Sequence, residues 1–439
     1  MKKILILTVD CWNTKNAASS ATTYSTLFTS MSEYELYNIY IREELPDDPC
    51  CKRYFQISER RIIKGLFNRK IKSGKEVKRQ SVCSEADNEN INKQKDFYDK
   101  QRNHFYYTKK MIREIIWFLS KWKSKELDDY LEQIKPDIVL FAMEGYIHFN
   151  RICRYVIKKT GAKSIGYFWD DNFTYRQRPN NLGYKVFRFF QRKSLKKLAK
   201  FTDQFWAISP KTKIEADCFF GIDCIVLPKP TERDTSVIPK NESDSTKPLK
   251  MMYAGNLMIG RINTIKALAE VLKFVNSSEL KVVLDVYTST KIPDELKNYG
   301  YGIVFHDPVS TREVLELQDK SRVLLFVEDI VGAEKKVARL SISTKVPDLL
   351  SSGKCIFALG DYDTASMEYF YKEKTALCAQ NKAEILDCIN VLLECPDVVK
   401  EYSERAFDCA KRNHSKDNIK NLLSENIRKV LVSDESCSN

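Results

Sequence analysis

The chain has 439 residues, 43% of them hydrophobic and 30% charged, with a formal net charge of +13. That length suggests about two or three domains with sizeable cores, and the basic excess points to a polyanionic partner: nucleic acid, anionic lipid or a phosphorylated substrate. No stretch reaches the roughly 18 apolar residues of a membrane-spanning helix, and the thirteen scattered cysteines include no CxxC pair, which argues against a structural zinc and predicts reduced thiols in a cytoplasmic compartment.

Lys2-Lys3 leads into ILILTV, a run of strand length, too short for a signal peptide or a span. The polar loop Asp10 to Ser20 and a helical stretch from about Ala21 to Met31 complete the opening of a doubly wound sheet. From Lys52 to Arg79 there are eleven Lys or Arg against Glu59 and Glu76. Residues 65–100 have little apolar periodicity and predict a mobile basic insertion. Helical patterns follow at Tyr106 to Leu119 and Leu127 to Ile134, then a strand, IVLFAM, ending beside Glu144 and His148. The helix closed by Gly161 precedes a strand from Ser164 to Trp169 that delivers Asp170 and Asp171. Lys185 to Lys200 carries seven Lys or Arg and no acid. It interleaves Phe187, Phe189 and Phe190 with Arg188, Arg192 and Lys193, so it reads either as a helix lying on a membrane surface or as a solvated basic face over a core. A strand from Gln204 to Ser209 closes this half.

Pro228, Pro230, Pro239 and Pro248 lie among Glu, Asp, Ser, Thr and Lys in a segment of linker composition. The alternation then restarts. Lys250 to Ala254 is a strand and Gly255-Asn256 a turn, followed by a helix from about Asn263 to Val275. Strands at Lys281 to Tyr287, Gly302 to Phe305 and Val323 to Val327 come next, with a helix from Arg312 to Lys320. This spacing predicts two Rossmann-like halves with mostly parallel sheets, whose ligands bind at the carboxyl ends of the strands.

The segment SISTKVPDLLSSGKCIFALG, from Ser341 to Gly360, is the most informative. A polar run opens a helix, Asp348 follows Lys345 by three residues, and an apolar strand begins after Gly353. Helix starts favour anions. Ser343, Thr344 and Lys345 would add hydroxyl donors and a positive charge, and Lys345 and Asp348 would share one face. Such a face suits a sugar nucleotide, although an amphipathic helix with a solvated Lys and Asp fits the same letters. Asp361-Tyr362-Asp363 spells a DxD, but it follows a late strand and reads as a solvated loop.

With these elements in place, the chain resembles a GT-B-fold glycosyltransferase, and is most similar to the retaining, family-four group of bacterial capsule and exopolysaccharide synthesis. YAGNLMIGR resembles that group's strand, glycine turn and basic residue at the donor phosphates; STKVPDLLSSGKCIFALG and RNHSKDNIKNLL resemble its acidic segment and the segment before its last helix. The resemblance implies an N-terminal acceptor-side domain (1–228), a linker (229–248), a nucleotide-sugar domain (249–415), and a C-terminal helix and tail (416–439) crossing back to the first domain, the two domains facing across a cleft. It implies that Gly255 and Asn256 approach the donor pyrophosphate, that Arg261 and Lys345 neutralise it, and that Asp348 takes the ribose. The group's other acid would fall at Leu340. His306 to Val309 lies where the chain passes the base, with Ser343 and Thr344 beside the phosphates. Asp170 resembles the position facing the sugar, making Asp170, Arg261 and Lys345 the catalytic set. Glu144, His148 and Asp171 would meet the acceptor. The resemblance implies hexosyl transfer without metal or cofactor, to a saccharide or lipid-linked saccharide at the inner membrane face. Another GT-B sugar-nucleotide enzyme, such as an epimerase, and a non-enzymatic basic protein for nucleic acid are the alternatives; the latter lacks any module signature.

Overall fold

The computed structural model describes residues 1–13, 19–29, 31–68, 70–79, 106–178, 180–237, 239, 248–297 and 299–432. The chain divides into two compact units, one of Met1–Leu227 with Lys420–Asn439, the other of Pro228–Ile419.

The first unit is built on eight strands: β1 (Lys2–Leu7), β2 (Tyr34–Tyr40), β3 (Cys51–Ile57), β4 (Gly74–Val77), β5 (Ile138–Ala142), β6 (Lys163–Phe168), β7 (Gln204–Ala207) and β8 (Cys224–Val226). Their order is β4-β3-β2-β1-β5-β6-β7-β8. All pairs are parallel except β3 with β4. Ile4 to Leu7 and Ile138 to Ala142 are buried throughout, as expected of strands covered by helices on both faces. The order reverses between β1 and β5, so the crevice of this sheet opens beyond their carboxyl ends.

The second unit has β9 (Leu249–Ala254), β10 (Val282–Tyr287), β11 (Ile303–His306), β12 (Val323–Val327), β13 (Cys355–Leu359) and β14 (Leu377–Ala379) in the order β11-β10-β9-β12-β13-β14. Every pair is parallel. Leu268, Leu272, Val286, Leu325 and Phe357 pack on one face of this sheet; Phe326, Leu350, Ile356 and Phe370 pack on the other. Here the reversal falls between β9 and β12. Both sheets are therefore doubly wound, as read from the sequence.

The structure adds elements that the sequence pattern did not disclose: β2, β3, β8, β14 and the helix Glu59–Phe67. The expectation of a mobile insertion at 65–100 is corrected at its start. The helix runs to Phe67, and β4 hydrogen-bonds antiparallel to β3. Arg53 clasps Glu76 with two N–H···O bonds of 2.6 and 2.7 Å, and Gly74 leaves room for the Phe55 ring, which an added Cβ would meet at 2.6 Å. The remainder of that expectation, 80–100, lies outside the described residues. Residues 229–237 and 239 carry no helix or strand. No helix among the described residues is long and apolar enough to cross a membrane.

Candidate functional site

In the second unit, Gly255 follows β9 at the switch point. Its N–H donates to Tyr287 O at 2.9 Å, and its φ is +150°, which strongly favours glycine. A Cβ here would stand 1.7 Å from Lys345 Nζ. The ammonium donates to Ala254 O at 2.7 Å and lies 5.0 Å from the centroid of the Tyr253 ring. Burial pushes the Lys345 pKa down to about 8, and Arg261 adds to the shift by like-charge repulsion. Arg261 opens the helix Arg261–Val275. Its Nε donates to Val327 O at 3.1 Å and its Nη1 to Asn256 Oδ1 at 2.8 Å. Two cations are thus held near each other against carbonyl groups beside a glycine turn, an arrangement that a bound polyanion would relieve. Gly255, Asn256, Arg261 and Lys345, chosen from sequence, do come together.

Other expectations for this unit are corrected. The helix after Lys345 has only five residues, Val346–Leu350. The Val346 N–H is used by Ser343 O at 3.0 Å and Pro347 has none, so its start is not the anion-binding N–H cluster foreseen from Ser343 and Thr344. The Ser343 N–H donates to Ser366 Oγ at 3.1 Å. Lys345 and Asp348 do not share a partner either. Asp348 Oδ1 accepts from Thr231 Oγ1 at 2.9 Å and Glu232 N at 2.8 Å, so that carboxylate oxygen fastens the start of the linker and does not lie beside the Lys345 ammonium. Asp361 pairs with Lys335 at 2.6 Å.

His306, at the end of β11, is hydrogen-bonded through Nε2 to Asp285 Oδ1 at 2.7 Å. It stacks on Tyr287 with centroids 4.5 Å apart. Tyr287 also supplies the carbonyl that holds Gly255, which sets the stacked pair one strand from the cations. Val309 follows in the loop before the helix Thr311–Lys320. Glu328, just past β12, stands at a strand end where the sequence places ligands, but no role was read for it. It is buried, accepts from Thr364 Oγ1 at 2.6 Å, and burial raises its pKa, opposed by hydrogen bonds from Thr364 and Ser366 and by Arg261.

In the first unit, carboxylates gather beyond the carboxyl ends of the central strands β1, β5 and β6. Asp10 follows β1 and pairs with Arg42 Nη1 at 2.9 Å. Glu144 follows β5. Burial raises its pKa to about 8, with Asp170 and then Asp10 adding repulsion and a hydrogen bond with Trp169 opposing. Asp170, past β6, is exposed. Asp10 and Arg42 were not foreseen from the sequence. The other two acceptor-side expectations are corrected. His148 is buried, its Nδ1 3.0 Å from both Glu114 oxygens, and it stacks on Trp117 at 4.3 Å. Glu114 also accepts from the N–H groups of Ile147 and His148 at 3.0 and 2.8 Å. It caps the helix Ile147–Thr160, for which Tyr146 supplies no side-chain cap. Asp171 is fully buried, with its carboxylate accepting from the N–H and hydroxyl of Thr174; it shapes its own turn.

No protein-family model matches the chain, and no curated protein does. Solved structures match in fold. A sucrose-phosphate synthase from Thermosynechococcus elongatus is 8% identical, with 99% of this chain and 100% of that one covered at a TM-score of 0.62. An α,α-trehalose 6-phosphate synthase from Burkholderia multivorans is 10% identical, with 100% and 98% covered at 0.62. Anabaena Alr3699/HepE, in complex with UDP-glucose, is 9% identical, with 98% and 100% covered at 0.60. The fold of the chain is that of the GT-B glycosyltransferases.

Proposed function

We propose that the chain is a glycosyltransferase that moves a hexosyl group from a nucleotide-sugar donor to a saccharide or lipid-linked saccharide of a cell-surface polysaccharide. The observation that carries the reading is the Gly255–Arg261–Lys345 group at the switch point of the second sheet. A donor diphosphate there would be met by a glycine turn that lets the Lys345 ammonium in close and by two cations already fixed by carbonyl contacts. The likeness in fold to a protein bound to UDP-glucose supports the same reading.

In this reaction the bond from the anomeric carbon to the diphosphate oxygen breaks, and the acceptor oxygen forms the new bond to that carbon. With retention, the acceptor proton passes to the departing phosphate oxygen. Arg261 and Lys345 stabilise the charge that develops on the leaving group, and no metal is needed for that task. His306 and Tyr287 offer an aromatic surface to the base. Asp170, in the first unit, is the carboxylate that positions the acceptor. Glu144, with its pKa near neutrality, holds or shares a proton with an acceptor hydroxyl.

The test is a thermal-shift screen of the purified protein against UDP-, GDP-, CMP- and dTDP-sugars, since a ligand of the native state raises its apparent stability. A selective shift with one nucleotide, lost in Lys345→Ala, supports the donor site and names its base. A shift with oligonucleotides alone would overturn the reading in favour of a basic nucleic-acid-binding protein.

A further inference from the structure

The first unit presents an apolar and basic surface that the proposed site does not use. The helix Leu182–Ala199 turns Leu182, Val186, Phe189 and Phe190 outward, with relative exposures from 42% to 75%. Spacing of three and four residues keeps them on one face. Lys193, Lys196 and Lys197 continue that face and are exposed. The structure thereby revises the face read from sequence, because Phe187 and Arg188 are buried and Arg192 lies over the Phe219 ring at 4.1 Å. The helix Tyr106–Leu119 packs beside it, with Tyr107 5.6 Å from Tyr184 and 6.3 Å from Phe187 between ring centroids. That helix turns Ile112, Ile115, Phe118 and Leu119 to solvent, Phe118 with 68% of its surface free.

The charges decide what such a surface can meet. The helix Leu182–Ala199 holds no acid. The helix Tyr106–Leu119 holds only Glu114, which is buried against His148. Large apolar side chains beside lysines, with no exposed carboxylate on either helix, suit a layer that is apolar below and anionic at its surface. The lysine stems can lie along the apolar zone while the ammonium groups reach headgroups. A protein partner would need a complementary acidic rim, and nucleic acid would leave the apolar side chains without a role.

We infer that this pair of helices docks the protein on an anionic lipid bilayer. The inference deepens the proposed function by naming the surface on which a lipid-linked acceptor is met. Binding to vesicles itself requires no donor, so the two can fail separately.

The full chain is sedimented with vesicles of phosphatidylcholine, with and without phosphatidylglycerol, over a range of salt. Binding is expected to the anionic vesicles and to weaken as salt rises. Phe189→Ser with Phe190→Ser should weaken it on the order of tenfold or more, by loss of inserted apolar area. Lys193→Ser with Lys197→Ser should weaken it by roughly 25-fold on anionic vesicles, at about fivefold per lysine. Neither pair should change the nucleotide-sugar thermal shift. Failure of the full chain to bind anionic vesicles, or binding unaltered by both pairs, overturns the inference. So does self-association in sedimentation velocity that the Phe pair abolishes, which would give the face to a second copy. Vesicle binding without any nucleotide-sugar shift would leave the docking intact and overturn the donor site instead.

Discussion

Lys345→Met separates a ligand-binding cation from a structural one. Methionine keeps much of the lysine stem and removes the charge. In the unliganded protein the ammonium is held with a pKa of about 8 in place of 10.5, a fall worth about 3 kcal/mol in the balance between charged and neutral forms. Between pH 8 and 10.5 the folded chain therefore binds fewer protons than the unfolded chain. Stability from this group rises with pH through that window, and the full penalty is present below about 8. Removing the charge lifts up to about 3 kcal/mol, and losing the bond to Ala254 O costs about 1.5–3 kcal/mol. At pH 7 the unliganded variant should thus be between unchanged and about 1.5 kcal/mol more stable, a Tm gain of up to about 6 °C for a unit of this size. The nucleotide-sugar shift should vanish. Thermal melts of wild type and variant at pH 7 to 10.5, each with and without donor, read all of this. The wild-type advantage from donor should also shrink above pH 8, where the lysine must take up a proton to meet the diphosphate. A variant less stable by 2 kcal/mol or more at every pH that keeps its donor shift would refute the reasoning and make Lys345 a clip for Ala254.

Three further outcomes follow from the same geometry. Gly255→Ala places a Cβ on Lys345 Nζ, so the lysine must move; donor affinity should fall by about tenfold or more, read by titration calorimetry. Asp348→Ala removes the acceptor of two hydrogen bonds to Thr231 and Glu232 and should cost about 1–3 kcal/mol in denaturant unfolding, with the donor shift retained. Glu144 has a folded pKa raised to about 8, so its contribution is favourable below its unfolded value and is lost as pH rises from about 4.5 through 8. Glu144→Gln should flatten the decline of the melting temperature over that range.

The doubly wound halves were legible because buried parallel strands such as ILILTV and CIFALG are continuous apolar runs bounded by turns. β2, YELYNIY, and β3, CKRYFQI, escaped because polar residues interrupt them. Within β2, Asn38 is fully buried, with Nδ2 bonded to Ile6 O at 2.9 Å and Thr8 Oγ1 at 3.0 Å. A buried amide whose Nδ2 finds its acceptors on a neighbouring segment has no signature in its own. The same reason misdirected His148. Its partner Glu114 stands 34 positions away, so the histidine read as a lone group after a strand although it belongs to a helix cap.

Lys345 and Asp348 illustrate the limit most directly. Helical spacing three apart puts two side chains on one face only while the helix continues through both. Here Lys345, the N-cap of the helix, is itself in helical conformation (φ −83°, ψ −20°), so the spacing holds, yet the two side chains find different partners. The lysine is free to reach across to β9, where Gly255 leaves the space. The motif therefore named the lysine without disclosing what it touches. The cation belongs to the glycine turn at the sheet's switch point, through a contact 91 positions distant in sequence. Its depressed pKa has the same origin: enclosure beside Arg261 with no carboxylate among its perturbing groups. An anion arriving there would gain both charges and restore the lysine's affinity for its proton. Donor binding and proton uptake are in that case one equilibrium, and the pH dependence of the donor shift measures it.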